Sequence, residues 1–133
     1  MSKLYPVYLN LAGREVLVVG GGEVASRKVK ALLDCDAQVT VISPELAEEF
    51  LSWQAESRIK VIRRRYQKGD SNQAFLVIAA SGDPQANQQV FADAEEHNIL
   101  CNVVDEPDLC SFQVPAVVAR GPLQIAVSTG GLS

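Results

Sequence analysis

Residues 15–25 have the sequence Glu-Val-Leu-Val-Val-Gly-Gly-Gly-Glu-Val-Ala. The four apolar residues before the glycines predict a short strand that is buried in a parallel sheet. Gly20, Gly22 and Ala25 match the G-x-G-x-x-A form of the dinucleotide-binding fingerprint, with Gly20 at the tight turn and Gly22 where a pyrophosphate approaches the backbone. A helix that begins here presents free N–H groups to the phosphates. The segment therefore predicts a nucleotide site, and the alternative is a purely structural turn between a strand and a helix.

Length and composition narrow the class of protein. The chain has 133 residues, of which 47% are hydrophobic and 21% are charged, as is typical of one globular domain. The net charge of −4 argues against a nucleic-acid surface, and no apolar run approaches the ~20 residues of a membrane span. Three cysteines without a C-x-x-C motif indicate reduced thiols. We therefore expect a cytoplasmic protein without nucleic-acid or membrane partners.

Strand-like and helix-like segments alternate along most of the chain. This alternation predicts an α/β fold with a Rossmann-like, doubly wound, mostly parallel sheet. Gly121-Pro122 separates two further apolar segments, which predicts a C-terminal antiparallel hairpin. Two local predictions accompany this fold: an edge strand within residues 4–11, and a helix that Ser43 caps and that runs to about Glu56.

Polar and glycine residues follow several predicted strands. Because open α/β sheets bind ligands at the carboxyl ends of their strands, we expect these residues to converge on one crevice. They are Gly20–Gly22, Ser43, Ala80–Asp83, Asp105 and Thr129–Gly131.

Several residues allow more than one interpretation. Ser43 stands where many dinucleotide domains carry an acid for the adenosine ribose, but it also suits a helix cap. Residues 63–65 are three arginines, which either attract a 2′-phosphate or polyanionic substrate or form a solvated strand end. Asp105 either moves a proton or stabilises a turn. His97 is either a catalytic base or a cation at a helix end, and Cys110 is either a metal ligand or a small buried residue. No His/Cys cluster has the spacing of a zinc site, so no metal site is predicted.

Four segments in this order resemble the siroheme synthase N-terminal family. They are Val18–Lys28, the Cys-Asn-Val-Val-Asp run at 101–105, Ser111-Phe112 with Pro115, and Ala126–Gly131. Members of that family are NAD-dependent precorrin-2 dehydrogenases, and some also act as sirohydrochlorin ferrochelatases. The resemblance covers essentially the whole chain, and it implies dehydrogenation of precorrin-2 to sirohydrochlorin.

The resemblance also implies roles for individual residues. Asp105 matches the aspartate assigned to dehydrogenation and, in bifunctional members, to insertion of ferrous iron. The NAD site is expected at Gly20, Gly21, Gly22, Glu23, Val24, Ser43, Ala80, Ser81 and Val104. The tetrapyrrole substrate is expected at Ser128, Thr129, Gly130 and Gly131.

Family members normally continue into a helical region that builds a homodimer. We therefore expect residues 1–133 to be an NAD(P)-binding Rossmann domain that stops before such a region. Serine at position 43 leaves the choice between NAD and NADP open. Two other functions remain: a bifunctional dehydrogenase and ferrochelatase, or a non-catalytic Rossmann domain that senses a nucleotide.

Overall fold

The computed structural model describes residues 2–130. Its larger sheet has five parallel strands, in the spatial order β3-β2-β1-β4-β5. These are β1 (Glu15–Val19), β2 (Gln38–Ile42), β3 (Ile59–Ile62), β4 (Leu76–Ala79) and β5 (Leu100–Val103). Strands β2 and β3 lie on one side of β1, and strands β4 and β5 lie on its other side. The strand order therefore reverses between β1 and β4. This is the order of a doubly wound sheet, which confirms the predicted fold class.

Helices cover both faces of this sheet. Side chains of β1 alternate between two cores: Val16 and Val18 pack with residues of α1 (Glu23–Asp34) and α2 (Glu48–Ala55), whereas Leu17 and Val19 pack with residues of α3 (Pro84–His97). The apolar run at the start of the fingerprint is therefore buried on both sides, as a central parallel strand requires. Within residues 2–130, no helix has both the length and the apolar character that crossing a membrane demands.

The predicted C-terminal hairpin forms a sheet of its own. Strands β6 (Ala116–Arg120) and β7 (Leu123–Val127) pair antiparallel and share no ladder with the parallel sheet. Every residue of both strands is exposed. Strand β7 is not part of the parallel sheet. The residues that follow β7 therefore do not lie at the carboxyl end of a strand of that sheet.

Two local predictions are wrong. Residues 2–11 form no strand and pair with no sheet through a backbone ladder. A hydrogen bond from the Tyr8 hydroxyl to the Gln124 carbonyl (3.0 Å) joins this segment to β7. Helix α2 begins at Glu48 instead of after Ser43. Its N-cap is Ala47, whose N–H donates to the Gly21 carbonyl at 2.7 Å, so a contact with the glycine turn holds residues 44–47 outside the helix.

Residues 63–75 connect β3 to β4 with neither helix nor strand. Two aspartates hold this connection in place. Asp70 accepts two hydrogen bonds from the Arg64 guanidinium, at 2.7 and 3.0 Å. Asp93 of α3 is 1% exposed and accepts from the Tyr66 hydroxyl at 2.6 Å and from the Gly69 N–H at 3.0 Å. Buried carboxylates need such donors, so the path of this segment is fixed by polar contacts.

Candidate functional site

The glycine turn lies at the point where the strand order reverses. Gly20 follows β1 directly, and its φ of +133° is a conformation that side chains rarely allow. A Cβ at this position would overlap the backbone carbonyl group of Ala80, whose carbon would lie 2.7 Å away. Glycine is therefore required here for the ends of β1 and β4 to approach each other.

The second glycine of the turn packs against the loop between β2 and α2. A Cβ on Gly21 would lie 2.7 Å from the Ser43 hydroxyl oxygen and would also overlap the Glu45 carbonyl. Gly21 thus allows this loop to close on the turn, a requirement that the fingerprint alone does not specify.

The third glycine faces open space. Gly22 is the N-cap of α1, with φ −91° and ψ −164°, and a Cβ placed on it would meet no atom within 4 Å. No side chain caps the helix here, so the N–H groups of the first turn are available to an anion. The open space beside a bare backbone fits a dinucleotide pyrophosphate.

A cleft of about 720 Å³ opens around this turn. It contains eight of the residues predicted to bind the cofactor: Gly20, Gly21, Gly22, Glu23, Val24, Ser43, Ala80 and Ser81. The volume falls within the range of small-molecule and cofactor sites. Residues from the ends of three strands therefore surround a single cleft at the carboxyl edge of the sheet.

The two serines of the cleft use their hydroxyls inside the protein. Ser43 Oγ donates to the Glu45 carbonyl at 2.6 Å and thereby shapes the loop after β2. Ser81 Oγ donates to Asn87 Oδ1 at 2.8 Å, and Asn87 Nδ2 in turn donates to the Ser81 carbonyl at 3.1 Å. Both side chains therefore position backbone around the cleft.

Sequence reasoning missed part of the lining. Glu45, Leu46 and Ala47 border the cleft because they precede α2 instead of forming its first turn. Arg65 and Tyr66 enter it from the connection between β3 and β4. The arginine run at 63–65 predicts a phosphate contact as one of its two interpretations, but no sequence pattern places Tyr66 at the cleft, since contacts with Asp70 and Asp93 determine the path of that connection.

Asp105 lies beside the cleft and is not among its lining residues. It is exposed, follows β5, and has a φ of +64°, in the left-handed region that non-glycine residues rarely occupy. The preceding residue, Val104, donates its N–H to the Ala79 carbonyl at 3.0 Å, next to Ala80 on the cleft wall. Asp105 and Val104 are thus at the carboxyl edge of the sheet, on the side of β4 away from β1.

The residues expected to bind the tetrapyrrole lie elsewhere. Ser128, Thr129 and Gly130 follow the hairpin strand β7 and do not line the cleft. Gly131 is outside the residues that the structure describes. In the described part of the chain, no group of three or more His, Cys, Asp or Glu side chains is arranged to hold a metal ion.

Curated relatives were found with the name siroheme synthase. The protein of Methylobacillus flagellatus is 47% identical over 126 residues, which are 95% of this chain and 27% of that protein. The protein of Neisseria meningitidis serogroup C is 46% identical over 127 residues, which are 96% of this chain and 26% of that protein. This chain therefore spans about a quarter of the length of these relatives.

A solved structure has the same fold. The protein titled "SirC, precorrin-2 dehydrogenase" superposes with a TM-score of 0.88 at 35% sequence identity, over 98% of this chain and 64% of that one. A family model described as "Putative NAD(P)-binding" matches residues 7–116. These findings agree with the predicted resemblance and with the predicted dinucleotide cofactor. The chain belongs to this family of NAD(P)-binding domains.

Proposed function

We propose that the chain is the NAD-dependent dehydrogenase domain that oxidises precorrin-2 to sirohydrochlorin in siroheme biosynthesis. The observation that carries this proposal is the open cleft at Gly22, in a fold that superposes on a precorrin-2 dehydrogenase over 98% of this chain. The likeness to siroheme synthases at 46–47% identity supports the same pathway.

The shape of the cleft and the free backbone N–H groups that border it both suit a dinucleotide. The N–H groups at the start of α1 would bind the pyrophosphate, and the loop after β2 would border the adenosine ribose. When bound, NAD⁺ supplies the acceptor for a hydride from the tetrapyrrole. The glycine turn would fix the cofactor's position relative to the carboxyl ends of β4 and β5.

Asp105 is proposed as the catalytic residue. Removal of two hydrogens from the substrate releases one proton besides the hydride, and an exposed carboxylate next to the cleft wall can accept it. Ser128–Gly131 are proposed, on the family resemblance alone, to contact a part of the tetrapyrrole outside the cofactor cleft, since Ser128, Thr129 and Gly130 do not line that cleft.

An anaerobic assay of NADH formation from precorrin-2 and NAD⁺ tests the proposal. Asp105→Asn should lower kcat by about 100-fold, as for loss of a general base, without changing NAD⁺ affinity. Asp108→Asn is the matched control, because Asp108 is exposed in the same loop and outside the cleft. Equal kcat values for Asp105→Asn and Asp108→Asn would contradict the role of Asp105, and NAD⁺ binding without turnover in a protein that also carries the helical region would contradict the proposal and favour a nucleotide sensor.

We propose iron insertion as a second activity of the same site. The curated relatives are named siroheme synthase, and a haem is a macrocycle that holds iron. Ferrous iron would act as substrate, with Asp105 accepting protons from the macrocycle. Iron-dependent loss of sirohydrochlorin, measured in parallel for Asp105→Asn and Asp108→Asn, separates a bifunctional enzyme from a dehydrogenase.

A homodimer is proposed as the active assembly, completed by a helical region beyond the Rossmann domain. The relatives' greater length is compatible with such a region. The hairpin offers apolar side chains on its surface, including Val118, Leu123 and Val127, each at least 60% exposed. Light scattering measures the mass of the chain and of a Leu123→Glu variant in solution. If two hairpins pack against each other in a dimer, the charge on β7 should oppose this burial and the variant should be monomeric.

We propose the cytoplasm as the location. All three cysteines are free thiols, and Cys35 is exposed, as is compatible with a reducing compartment. Cell fractionation followed by thiol labelling tests this proposal, and a disulfide-linked form in cells would contradict it.

A further inference from the structure

Arg65 is the basic side chain among the described residues that line the cleft. The acidic residues of the same lining are Glu23, Glu45 and Asp83. The side chain of Arg65 is exposed and makes no hydrogen bond or ion pair with residues 2–130. Its guanidinium is therefore available to a ligand.

The two neighbours of Arg65 are both held in place. Arg64 is bound bidentately by Asp70, and its Nη1 also donates to the Arg65 carbonyl at 2.9 Å. Tyr66 is fixed by its 2.6 Å hydrogen bond to Asp93, a buried residue of α3. The backbone of Arg65 is thus anchored on both sides, so the loop that carries it needs no ordering before its side chain binds a ligand.

Arg65 enters the cleft from the side of β2 and β3. The N–H of Ser43 donates to the Ile62 carbonyl at 3.2 Å, so the ends of these two strands are adjacent. Arg65 comes three residues after Ile62. In doubly wound dinucleotide domains, the end of the second strand borders the adenosine ribose, where an acid recognises the 2′-hydroxyl and an arginine accommodates a 2′-phosphate.

The chemistry of this corner fits a 2′-phosphate. Ser43, in the position of the acid, is neutral, and its hydroxyl already donates to the backbone carbonyl of Glu45. A planar guanidinium forms paired, charge-assisted hydrogen bonds with phosphate oxygens. Glu45 lines the same cleft and opposes this preference by repelling phosphate, while its carboxylate suits the free hydroxyls of NAD.

We propose that Arg65 binds the 2′-phosphate of NADP, so that the cleft accepts the 2′-phosphorylated dinucleotide as well as NAD. The inference rests on the proposed function, because it requires the cleft to be the dinucleotide site. It assigns cofactor choice to two residues with opposite effects: Arg65 favours NADP, and Glu45 favours NAD.

Calorimetric titration of the chain with NADP⁺ and with NAD⁺ tests this assignment. Arg65→Met should weaken NADP⁺ binding about tenfold, the loss of one charge-assisted contact, and leave NAD⁺ binding within about twofold. Arg63→Met is the matched control, since Arg63 is exposed and outside the cleft, and it should leave both affinities unchanged. Glu45→Gln should shift the ratio of the two affinities towards NADP⁺.

Salt dependence gives a second readout. NADP⁺ binding by the unmodified chain should weaken more steeply with ionic strength than NAD⁺ binding, and Arg65→Met should remove the difference. The inference is overturned if the unmodified chain binds NAD⁺ but not NADP⁺, or if Arg65→Met weakens both equally. Failure of both dinucleotides to bind would overturn the proposed function together with the inference.

Discussion

Gly20 and Ala80 meet backbone to backbone at the ends of β1 and β4. The N–H of Ala80 donates to the Val19 carbonyl at 2.8 Å, and no space remains beside Gly20 for a Cβ. This contact brings the glycine turn against the wall formed by Ala80 and Ser81, and the cleft opens at that point. The shape of the site therefore depends on one glycine that faces protein and another, Gly22, that faces open space.

Gly20→Ala should destabilise the fold. The substitution forces a side chain into both an unfavourable φ and the Ala80 carbonyl group, so we expect a loss of about 2–4 kcal/mol in the free energy of unfolding. Urea denaturation measures this loss. Gly82→Ala is the matched control, because a Cβ on Gly82 meets nothing within 4 Å, and the free energy of unfolding should change by less than about 0.5 kcal/mol. Equal values for the two variants would contradict the close approach.

Tyr66→Phe should also destabilise the fold, because it removes a hydrogen-bond donor from the buried carboxylate of Asp93. The change removes the 2.6 Å hydrogen bond to Asp93, which keeps donors only from Gly69 and Gln89. We expect a loss of about 1–3 kcal/mol in urea denaturation. Tyr8→Phe serves as the control, since the bond from Tyr8 to the Gln124 carbonyl is exposed. A Tyr66→Phe variant as stable as the control would mean that this contact does not hold the connection.

Asp70 should give the stability of the chain a dependence on acid pH. Hydrogen bonds from the Arg64 guanidinium lower the pKa of the Asp70 carboxyl below its ordinary value of about 3.9. A depressed pKa in the folded state contributes stability that is complete above the unfolded value and is lost as the pH falls through the folded value. The stability advantage over Asp70→Asn should therefore be constant near neutral pH and shrink below about pH 4.

Thermal unfolding of both proteins across this pH range measures the effect. The contribution is expected to be modest, because the Arg64 side chain is 35% exposed and water screens the pair. A stability difference that persists unchanged to the acid limit would contradict the ion pair.

The strands and helices of the parallel sheet could be predicted from the sequence because each is indicated by residues that are close together in the chain. Val16–Val19 followed by glycines, and the Asp83-Pro84 start of α3, depend on neighbouring residues only. The start of α2 was mispredicted for the opposite reason: Ser43 and Pro44 resemble a helix start, but a hydrogen bond to Gly21, distant in sequence, delays the helix to Glu48.

The cleft could be predicted only in part. Its glycines and strand ends follow from the fingerprint, and the arginine run at 63–65 was one candidate for a phosphate contact, whereas Tyr66 reaches the cleft through a connection without periodicity. The partner of Tyr66, Asp93, is 27 residues away on α3, and no pattern in a single sequence pairs the two. The residues after β7 were expected at the crevice because β7 was assumed to end there, but that strand belongs to a separate sheet.

The central claim is that the open side of Gly22 is where a dinucleotide binds. Titration calorimetry with NAD⁺ on the unmodified chain and on Gly22→Val tests it most directly, with the thermal unfolding midpoint as a control for folding. Because Gly22 has an ordinary extended backbone and no neighbour within 4 Å, the variant should fold but lose NAD⁺ affinity by at least about tenfold. Undiminished NAD⁺ binding by a folded Gly22→Val variant would contradict the account.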